Sequence, residues 1–294
     1  MRVASLHTYP IKGVRAVDVA RAHVEPRGLE GDRRWLVVDA NGRFITQRSH
    51  PRLATITAAP TRTGLRLSAP GAGEFLVERP SAPQRADVIV WQHQINAALA
   101  DVQAGAWLSN YFGEALRLAY MDAVAERLQR NAWVADAVPV SFADAYPVLI
   151  VTTASLAAVN GEIERAGGAQ VSMRRFRPNI VIDCGDAWAE DFWRVVRIGG
   201  VEFELVKPCD RCVVTTKDQE TGASMGKEPL ASLARLRRSA DARINGVLFG
   251  WNAVPRALGR VAVGDAVEVL ERRPEGFALR SDLPHGFEVE HFLP

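Results

Sequence analysis

The chain has 294 residues, of which 48% are hydrophobic and 24% charged, and its formal net charge is +2. This length and composition are typical of a globular protein with room for one large or two medium-sized domains. So small a net charge does not argue for nucleic-acid binding. No stretch approaches the roughly 18 uncharged apolar residues of a membrane span, and the first residues lack the apolar segment of a secretory signal, so we expect a cytoplasmic protein.

Strand patterns dominate both ends of the chain. The first residues, MRVASLHT, predict a strand, and RWLVVDANGRFIT (34–46) predicts a hairpin around Asn41-Gly42, a favoured tight-turn pair. Two more hairpins are predicted at 63–78 and 194–208, where glycines separate β-branched and aromatic runs. VAVGDAVEVL (261–270) adds a strand near the C-terminus.

Helical periodicity occurs at three places, 95–112, 152–168 and 228–238. Many short strands with few helices indicate an α+β protein, predominantly β and built around a β-barrel. Neither a glycine-rich dinucleotide fingerprint nor a P-loop is present, so a bound nucleotide cofactor is not expected. Mixed signals around 121–140 suggest a domain boundary there.

The segment KPCDRC (207–212) is the sharpest local feature. It holds two of the three cysteines, Cys209 and Cys212; the third is Cys184. Neighbouring Lys207 and Arg211 would favour a thiolate, and thiolates bind soft metals. Thiol redox chemistry, half of a zinc site and a single-cysteine metal ligand all remain open, as does a pair of small core residues. Three cysteines cannot supply both a four-thiolate cluster and a separate metal ligand.

Three cationic segments accompany this motif. RRFRPN (174–179) offers guanidinium groups suited to phosphate or carboxylate. YPIKG (9–13) and GLEGDRRW (28–35) combine glycines, whose backbone amides can approach an anion, with Lys12 and Arg33. Each segment alone is more typical of a solvated loop or a turn. Together, around a cysteine, they suit a polyanionic cofactor that holds a metal.

Only four of the 36 basic residues are lysines, which we interpret as the codon bias of a GC-rich bacterial genome.

Six motifs occur in an order that resembles the MOSC-domain proteins, in particular the amidoxime-reducing components and the bacterial reductase that detoxifies hydroxylaminopurines. They are YPIKG, the block from GLEGDRRW to HPRLA, FADAYPVLIVTTASL, RRFRPNIVID, KPCDRCVVTT and GVLFGWNA. The resemblance implies an N-terminal MOSC-associated β-rich domain (1–125), a MOSC β-barrel domain with flanking helices (126–272) and a C-terminal tail (273–294). A molybdenum–molybdopterin cofactor would lie between the two domains.

The resemblance also implies roles for single residues. Cys212 would be the molybdenum ligand and a catalytic residue, with Asp144 as an acid close to the metal. The remaining matched positions would bind the cofactor: Lys12, Gly13, Arg33, Arg177, Asn179, Asp210, Arg211 and Asn252. Gly13 stands where several relatives have serine, and Ala145-Tyr146 replaces a hydroxyl pair, so individual hydrogen bonds there are in question.

The resemblance implies an oxidoreductase that converts an N-hydroxylated small molecule to the N–H compound and water. No membrane anchor, membrane partner or nucleic-acid partner is expected. Some bacterial relatives carry a fused ferredoxin domain, which this sequence lacks. We therefore expect an external electron-transfer protein, either a ferredoxin or a cytochrome-like carrier with its reductase. The alternative is a sulfur carrier or sulfurtransferase that uses a Cys212 persulfide; a cofactor carrier without turnover is a third possibility.

Overall fold

The computed structural model describes residues 1–81 and 84–280, and the last part of the predicted tail, 281–294, lies outside them. Strands dominate an α+β structure, which confirms the predicted fold class. The strands are β1 Arg2–Thr8, β2 Val17–Val19, β3 Arg21–Glu25, β4 Gly28–Leu29, β5 Trp35–Asp39, β6 Thr57–Pro60, β7 Gly64–Ala69, β8 Gly73–Glu78, β9 Arg85–Val90, β10 His93–Leu99, β11 Leu116–Tyr120, β12 Leu128–Gln129, β13 Val138–Pro139, β14 Val148–Thr152, β15 Ile180–Asp183, β16 Trp193–Ile198, β17 Val201–Arg211, β18 Val247–Pro255, β19 Gly259–Ala262 and β20 Val267–Arg272. The α-helices are α1 Val102–Phe112, α2 Thr153–Arg165 and α3 Leu230–Leu236, and 3-10 helices cover Pro51–Thr55, Met173–Phe176, Ala189–Phe192 and Val213–Thr216.

The largest sheet has eight strands in the order β2-β1-β15-β14-β18-β17-β16-β20. It curls back on itself, because Val3 donates to the Asp265 carbonyl at 2.9 Å and Val267 donates to the Met1 carbonyl at 3.1 Å, just where β20 begins. Apolar side chains from its strands fill the interior, including fully buried Trp193 and Phe203. Strands from the first 19 residues therefore complete a barrel made mainly by strands after residue 147.

The region between residues 35 and 120 forms a second β-rich unit. It contains a four-stranded sheet, β5-β11-β10-β9, and a three-stranded sheet, β6-β7-β8. Helix α1 packs over them and buries Leu108 against a core that includes Trp35, Leu67 and Leu118. The expected domain boundary near residue 125 stays a prediction, although the large sheet draws strands from both sides of it.

Most predicted elements are confirmed, but the proposed helix at 95–112 is wrong in its first third. Residues up to Leu99 belong to β10, where Ile95 and Ala97 are buried and Asn96 between them is exposed, which is the period of a strand. The helix begins only after Asp101, whose side chain accepts from the Gln103 amide at 2.8 Å as an N-cap.

The hairpin predicted at 34–46 is also only partly present. It turns at Gly42, which has a φ of +77°, but its second arm is joined by a single bridge between Val38 and Phe44. Within the described residues, no helix combines the length and the apolar character needed to cross a bilayer.

Candidate functional site

The loop between β1 and β2 carries Lys12 and Gly13. Backbone hydrogen bonds fix it to the start of β5, because Lys12 donates to the Trp35 carbonyl at 2.9 Å and Trp35 donates to the Pro10 carbonyl at 3.0 Å. Gly13 has a φ of +81°, a conformation that suits glycine, and its carbonyl accepts a 2.7 Å bond from the Gln47 side chain. The loop is thus held on both sides, with the Lys12 side chain only 7% exposed.

Lys12 meets Asp144, although the two residues lie 132 positions apart. The Lys12 ammonium donates to Asp144 Oδ1 at 2.5 Å, and the indole N–H of Trp91 donates to the same oxygen at 3.2 Å. The Asp144 side chain is 72% accessible to water, yet enough protein surrounds it that burial alone would raise its pKa. The Asp144 carboxylate is thus surrounded by protein and still open to water, and we call the space in front of it the cleft.

Neighbouring charges set the ionisation of this pair. Burial would raise the pKa of Asp144, but the Lys12 ammonium and the Arg33 guanidinium hold that pKa well below its usual range. Burial lowers the pKa of Lys12 to about 8, although Asp144 opposes the shift. Near neutral pH both groups are therefore charged, and Asp144 is a hydrogen-bond acceptor that carries no proton of its own.

Arg127 positions the segment that presents Asp144. Its buried guanidinium donates to the carbonyls of Ser141 at 3.0 Å, Ala143 at 2.5 Å and Asp144 at 3.4 Å. Burial lowers the pKa of Arg127 to about 10, with Asp144 opposing. One guanidinium therefore holds three carbonyls of the short segment 141–144, which carries the Asp144 carboxylate.

Two arginines share the ring of Tyr9. The guanidinium carbons of Arg33 and Arg177 lie 4.4 and 4.2 Å from its centroid, a cation–π arrangement. Arg33 is paired with the buried Asp32 at 2.6 Å. Arg177 donates to Gln219 Oε1 at 3.0 Å, and no described carboxylate lies in ion-pair contact with it. Arg177 thus has no direct carboxylate partner, and burial lowers its pKa to about 10 although Asp144 and Asp32 oppose the shift at longer range.

Asn179 is a buried connector at 1% exposure. Its Oδ1 accepts from Arg33 Nη1 at 3.1 Å and from the Leu149 amide at 3.1 Å, and its Nδ2 donates to the His7 carbonyl at 3.1 Å. This side chain therefore joins β1, β14 and Arg33, and it acts on any ligand mainly by orienting Arg33.

The two cysteines of the CxxC segment have different surroundings. The pairing of β17 with β18 shifts between Pro208 and Asp210, where Cys209 alone faces Phe249 and Gly250, so the extra residue of this bulge lies on β18. Arg211 Nη1 donates to Cys209 Sγ at 2.8 Å, whereas the Lys207 ammonium is paired with Asp210 at 2.6 Å. The two cations expected to favour a thiolate in this motif thus bind Cys209 and Asp210, and neither is recorded in contact with the Cys212 sulfur. Burial raises the pKa of Cys209 although Arg211 opposes the shift.

Cys212 is half-buried and immediately precedes the 3-10 helix Val213–Thr216. Its carbonyl accepts from the backbone amide and the hydroxyl of Thr215, at 3.0 and 2.9 Å. The same helix contacts the arginine segment, because Arg175 donates to the Thr215 carbonyl at 3.3 Å. Arg211 donates in turn to the Phe176 carbonyl at 2.6 Å. The segment of Cys212 therefore lies beside the turn that carries Arg177. Asp210 is exposed and forms an ion pair with Lys207.

The residues in this region fit an anionic cofactor. Positive charge exceeds negative charge in the cluster, which contains Lys12, Arg33, Arg127 and Arg177 against Asp32 and Asp144. Two buried donors close to it, Asn252 Nδ2 and Arg211 Nε, have no hydrogen-bond partner, and such groups are normally satisfied by protein, water or a ligand. A compact anion with several acceptor oxygens would balance the excess positive charge and accept hydrogen bonds from the two unpaired donors.

A metal at Cys212 would need ligands from outside the protein. Among the described residues, no group of three or more histidine, cysteine, aspartate or glutamate side chains could hold a metal ion. The described residues therefore complete no zinc site around the CxxC segment. A thiolate whose metal arrives with its own chelating group, as a dithiolene pterin would supply, agrees with this donor set.

The structure adds residues to which sequence reasoning gave no role. Gln47 and Gln219 form a buried amide pair, with Gln219 Nε2 3.1 Å from Gln47 Oε1, and this pair links Gly13 to Arg177. Trp91 and Arg127 both contact Asp144. Gln47 lies inside the sequence motif that runs from GLEGDRRW to HPRLA. Trp91 and Arg127 carried no local signal, because their partners are distant in sequence.

Comparison with known proteins agrees with the architecture. Residues 1–115 match the model of the MOSC N-terminal beta barrel domain, and residues 137–268 match that of the MOSC domain. The mitochondrial amidoxime-reducing component 1 of Xenopus laevis is 32% identical over 287 residues, which cover 92% of this chain and 82% of that protein. The mitochondrial amidoxime reducing component 2 of Homo sapiens is 32% identical over 285 residues, covering 90% and 82%.

Proposed function

Because the chain belongs to the MOSC-domain proteins that carry an N-terminal MOSC β-barrel, together with the amidoxime-reducing components, we propose that it reduces N-hydroxylated compounds with a molybdenum–molybdopterin cofactor. Each turnover would convert an N–OH group, two electrons and two protons into an N–H group and water. The observation that carries the proposal is Arg177, a cation without a carboxylate partner beside Arg33 and Lys12. That cluster favours an anion, and the 3-10 helix that follows Cys212 contacts the arginine segment through the bond from Arg175 to the Thr215 carbonyl. As for compartment and source, the cytoplasm and a bacterial genome stay predictions, since the relatives named above are mitochondrial proteins of animals.

Lys12, Arg33 and Arg177 would hold the anionic part of the cofactor, and the backbone of Gly13 would approach it without a side chain in the way. Asn179 would orient Arg33. Arg211 Nε and Asn252 Nδ2 would donate to acceptor atoms of the bound cofactor. Asp210, which is exposed and paired with Lys207, would contact the edge of the cofactor. Cys212 would be the only protein ligand of the metal. When bound, the cofactor supplies the two-electron exchange with the substrate.

Asp144 would work on the substrate side of the cleft. Because its pKa is held low, it is ionised at neutral pH and accepts hydrogen bonds from the N–H or O–H groups of an N-hydroxylated compound. Lys12, with a pKa of about 8, keeps an exchangeable proton 2.5 Å from that carboxylate. Arg127 keeps the carboxylate in place. These residues bind and orient the group that loses oxygen.

The proposal is tested by the contents of the purified protein. We expect protein produced with adequate molybdate to contain molybdenum and pterin near one per chain, measured by elemental analysis and by fluorescence of the oxidised pterin. It should then reduce benzamidoxime when a chemical reductant is supplied. The same chain from a host that cannot make the pterin is the matched control and should be inactive. Repeated preparations with stoichiometric zinc and no pterin would remove the proposal.

The sulfurtransferase alternative uses the same cysteine without the cofactor. It predicts a persulfide on Cys212 and sulfur transfer by pterin-free protein, which mass spectrometry and a sulfide-release assay would detect. It gives no role to Arg177, which has no direct carboxylate partner, and the relatives are named for amidoxime reduction. We therefore favour the reductase.

A salt-dependence experiment addresses electron supply. The sequence shows no nicotinamide or flavin fingerprint, so we propose that a separate electron-transfer protein docks near the cleft. With a small acidic carrier and its reductase, turnover should fall as salt rises from about 0.01 M to about 1 M, because screening shortens from about 30 Å to about 3 Å. Turnover driven by a small uncharged reductant is the control and should change little. Sustained reduction by the isolated chain with a nicotinamide alone would contradict this expectation.

A further inference from the structure

Trp91 occupies an unusual place in the fold. It is the first of the two residues that join β9 to β10, where Val90 pairs with His93, and its φ is +54°. Glycine, asparagine and aspartate are the usual residues at such turn positions. A bulky residue in this conformation is strained, and such strain is concentrated at functional sites. The indole is also 40% exposed, so burial does little to offset the strain.

Contacts with the cleft hold the indole in place. Its N–H donates to Asp144 Oδ1, and the ring of Phe44 meets it edge-on with centroids 5.0 Å apart. The Arg48 guanidinium lies 5.0 Å from the indole centroid and the Lys12 ammonium lies 6.0 Å from it. These contacts fix an aromatic wall beside the Asp144 carboxylate.

Only one oxygen of the Asp144 carboxylate accepts hydrogen bonds from described residues. Lys12 and Trp91 both donate to Oδ1, and no described residue donates to Oδ2. The side chain is largely accessible to water, so Oδ2 is an open acceptor next to the indole. A ligand that has an N–H or O–H group attached to a flat ring could use both features at once.

We propose that Trp91 and Asp144 Oδ2 form a substrate subsite that selects planar, aromatic N-hydroxylated compounds over aliphatic ones. The ring of the substrate packs against the indole, and its amidoxime N–H or O–H group donates to Oδ2. This inference rests on the proposed function, because it names the substrate class of the same site. Trp91 is then a specificity residue, whose strained backbone is retained for recognition.

Two substitutions separate the ring from its N–H group. Trp91→Gly removes the ring and should fold well, because glycine accepts the positive φ. Trp91→Phe keeps an aromatic surface but cannot donate to Asp144. Phe192→Ala is the matched control, because Phe192 is a similarly exposed aromatic residue, at 42%, outside the cleft.

Binding is measured first, on cofactor-loaded full-length protein without any electron donor, so that benzamidoxime binds but is not reduced. By calorimetry or saturation-transfer NMR, Trp91→Gly should weaken benzamidoxime binding about tenfold, the scale of one aromatic stacking contact. Acetamidoxime has no ring, so its affinity should fall no further in Trp91→Gly than in Trp91→Phe, which loses the same N–H donor. Trp91→Phe should keep most of the affinity for benzamidoxime, and Phe192→Ala should keep all of it. Equal weakening of both ligands in Trp91→Gly would overturn the subsite.

Turnover with a chemical reductant then separates this inference from the proposed function. Trp91→Gly should lower kcat/KM for benzamidoxime about tenfold more than it lowers kcat/KM for acetamidoxime, whereas Trp91→Phe should change the two values alike. If the protein reduces both compounds and Trp91→Gly leaves their ratio of kcat/KM unchanged, the subsite is wrong and the function stands. If benzamidoxime binds through Trp91 but is never reduced, the subsite stands and the proposed function is wrong.

Discussion

Replacing Cys212 with serine should reduce molybdenum-dependent turnover by more than about a hundredfold, beyond the 10- to 100-fold losses usual for residues behind a metal ligand. A hydroxyl is a much poorer ligand than a thiolate for a soft metal centre. No cluster of alternative side-chain ligands exists among the described residues. The measurement is benzamidoxime reduction with a chemical reductant, together with the molybdenum and pterin content of the same preparation.

Cys209→Ser is the matched control for this prediction. A serine hydroxyl can still accept the hydrogen bond that Arg211 now gives to Cys209 Sγ, so most activity should remain. Cys209→Val cannot accept that bond and would leave a second part of the Arg211 guanidinium without a partner, beside the unpaired Nε. It should therefore be the worse of the two. Equal and severe losses in Cys212→Ser and Cys209→Ser, with cofactor still bound, would favour dithiol chemistry instead.

Arg177→Ala should weaken cofactor retention by one to two decades. Loss of one hydrogen bond to a charged partner costs on the order of 1.5–3 kcal/mol, and each 1.4 kcal/mol is tenfold in affinity. The fold should persist, because the guanidinium of Arg177 bonds only to the Gln219 side chain and packs on Tyr9. Pterin and molybdenum remaining after dialysis, compared with the unfolding midpoint of the same variant, provide the measurement.

Arg33→Ala should also release cofactor, but this substitution affects the stability of the fold as well. Arg33 neutralises Asp32, whose side chain is fully buried, and leaving a buried carboxylate unpaired destabilises a fold. Arg2→Ala is a suitable control, because Arg2 is an exposed arginine with a surface partner, Asp183. Full retention of cofactor in Arg177→Ala would show that this arginine is not part of the cofactor site.

Local patterns in the sequence predicted most elements of the fold. Alternating and glycine-separated runs located the hairpins at 63–78 and 194–208, and helical spacing located α2 and α3. The error at 95–112 arose where an apolar spacing suited both a strand and a helix, and the Asp101 cap decided between them. Closure of the barrel through Val3 and Asp265 could not be predicted, because it joins residues 262 positions apart.

The candidate site, like the fold, could be predicted only in part from the sequence. The resemblance named Lys12 and Asp144 separately, but only the folded chain shows that they form one ion pair. Charge proximity in KPCDRC predicted support for a thiolate in this motif, whereas in the folded chain Arg211 donates to the Cys209 sulfur. Trp91 was missed altogether, since a tryptophan between two strands is ordinarily a packing residue. What it does depends on a carboxylate 53 positions away.

The position of β1 has a consequence for how the protein is made. Leu6 pairs with Ile180 in β15, so the first strand leaves the ribosome roughly 170 residues before its partner. At about 5–20 residues per second, this delay lasts on the order of 10 to 35 s. During that time the edge of β1 that later pairs with β15 has no partner strand, and other chains could join it. Slowing translation between residues 20 and 180 should therefore lower the soluble yield, whereas slowing it after β20 should not.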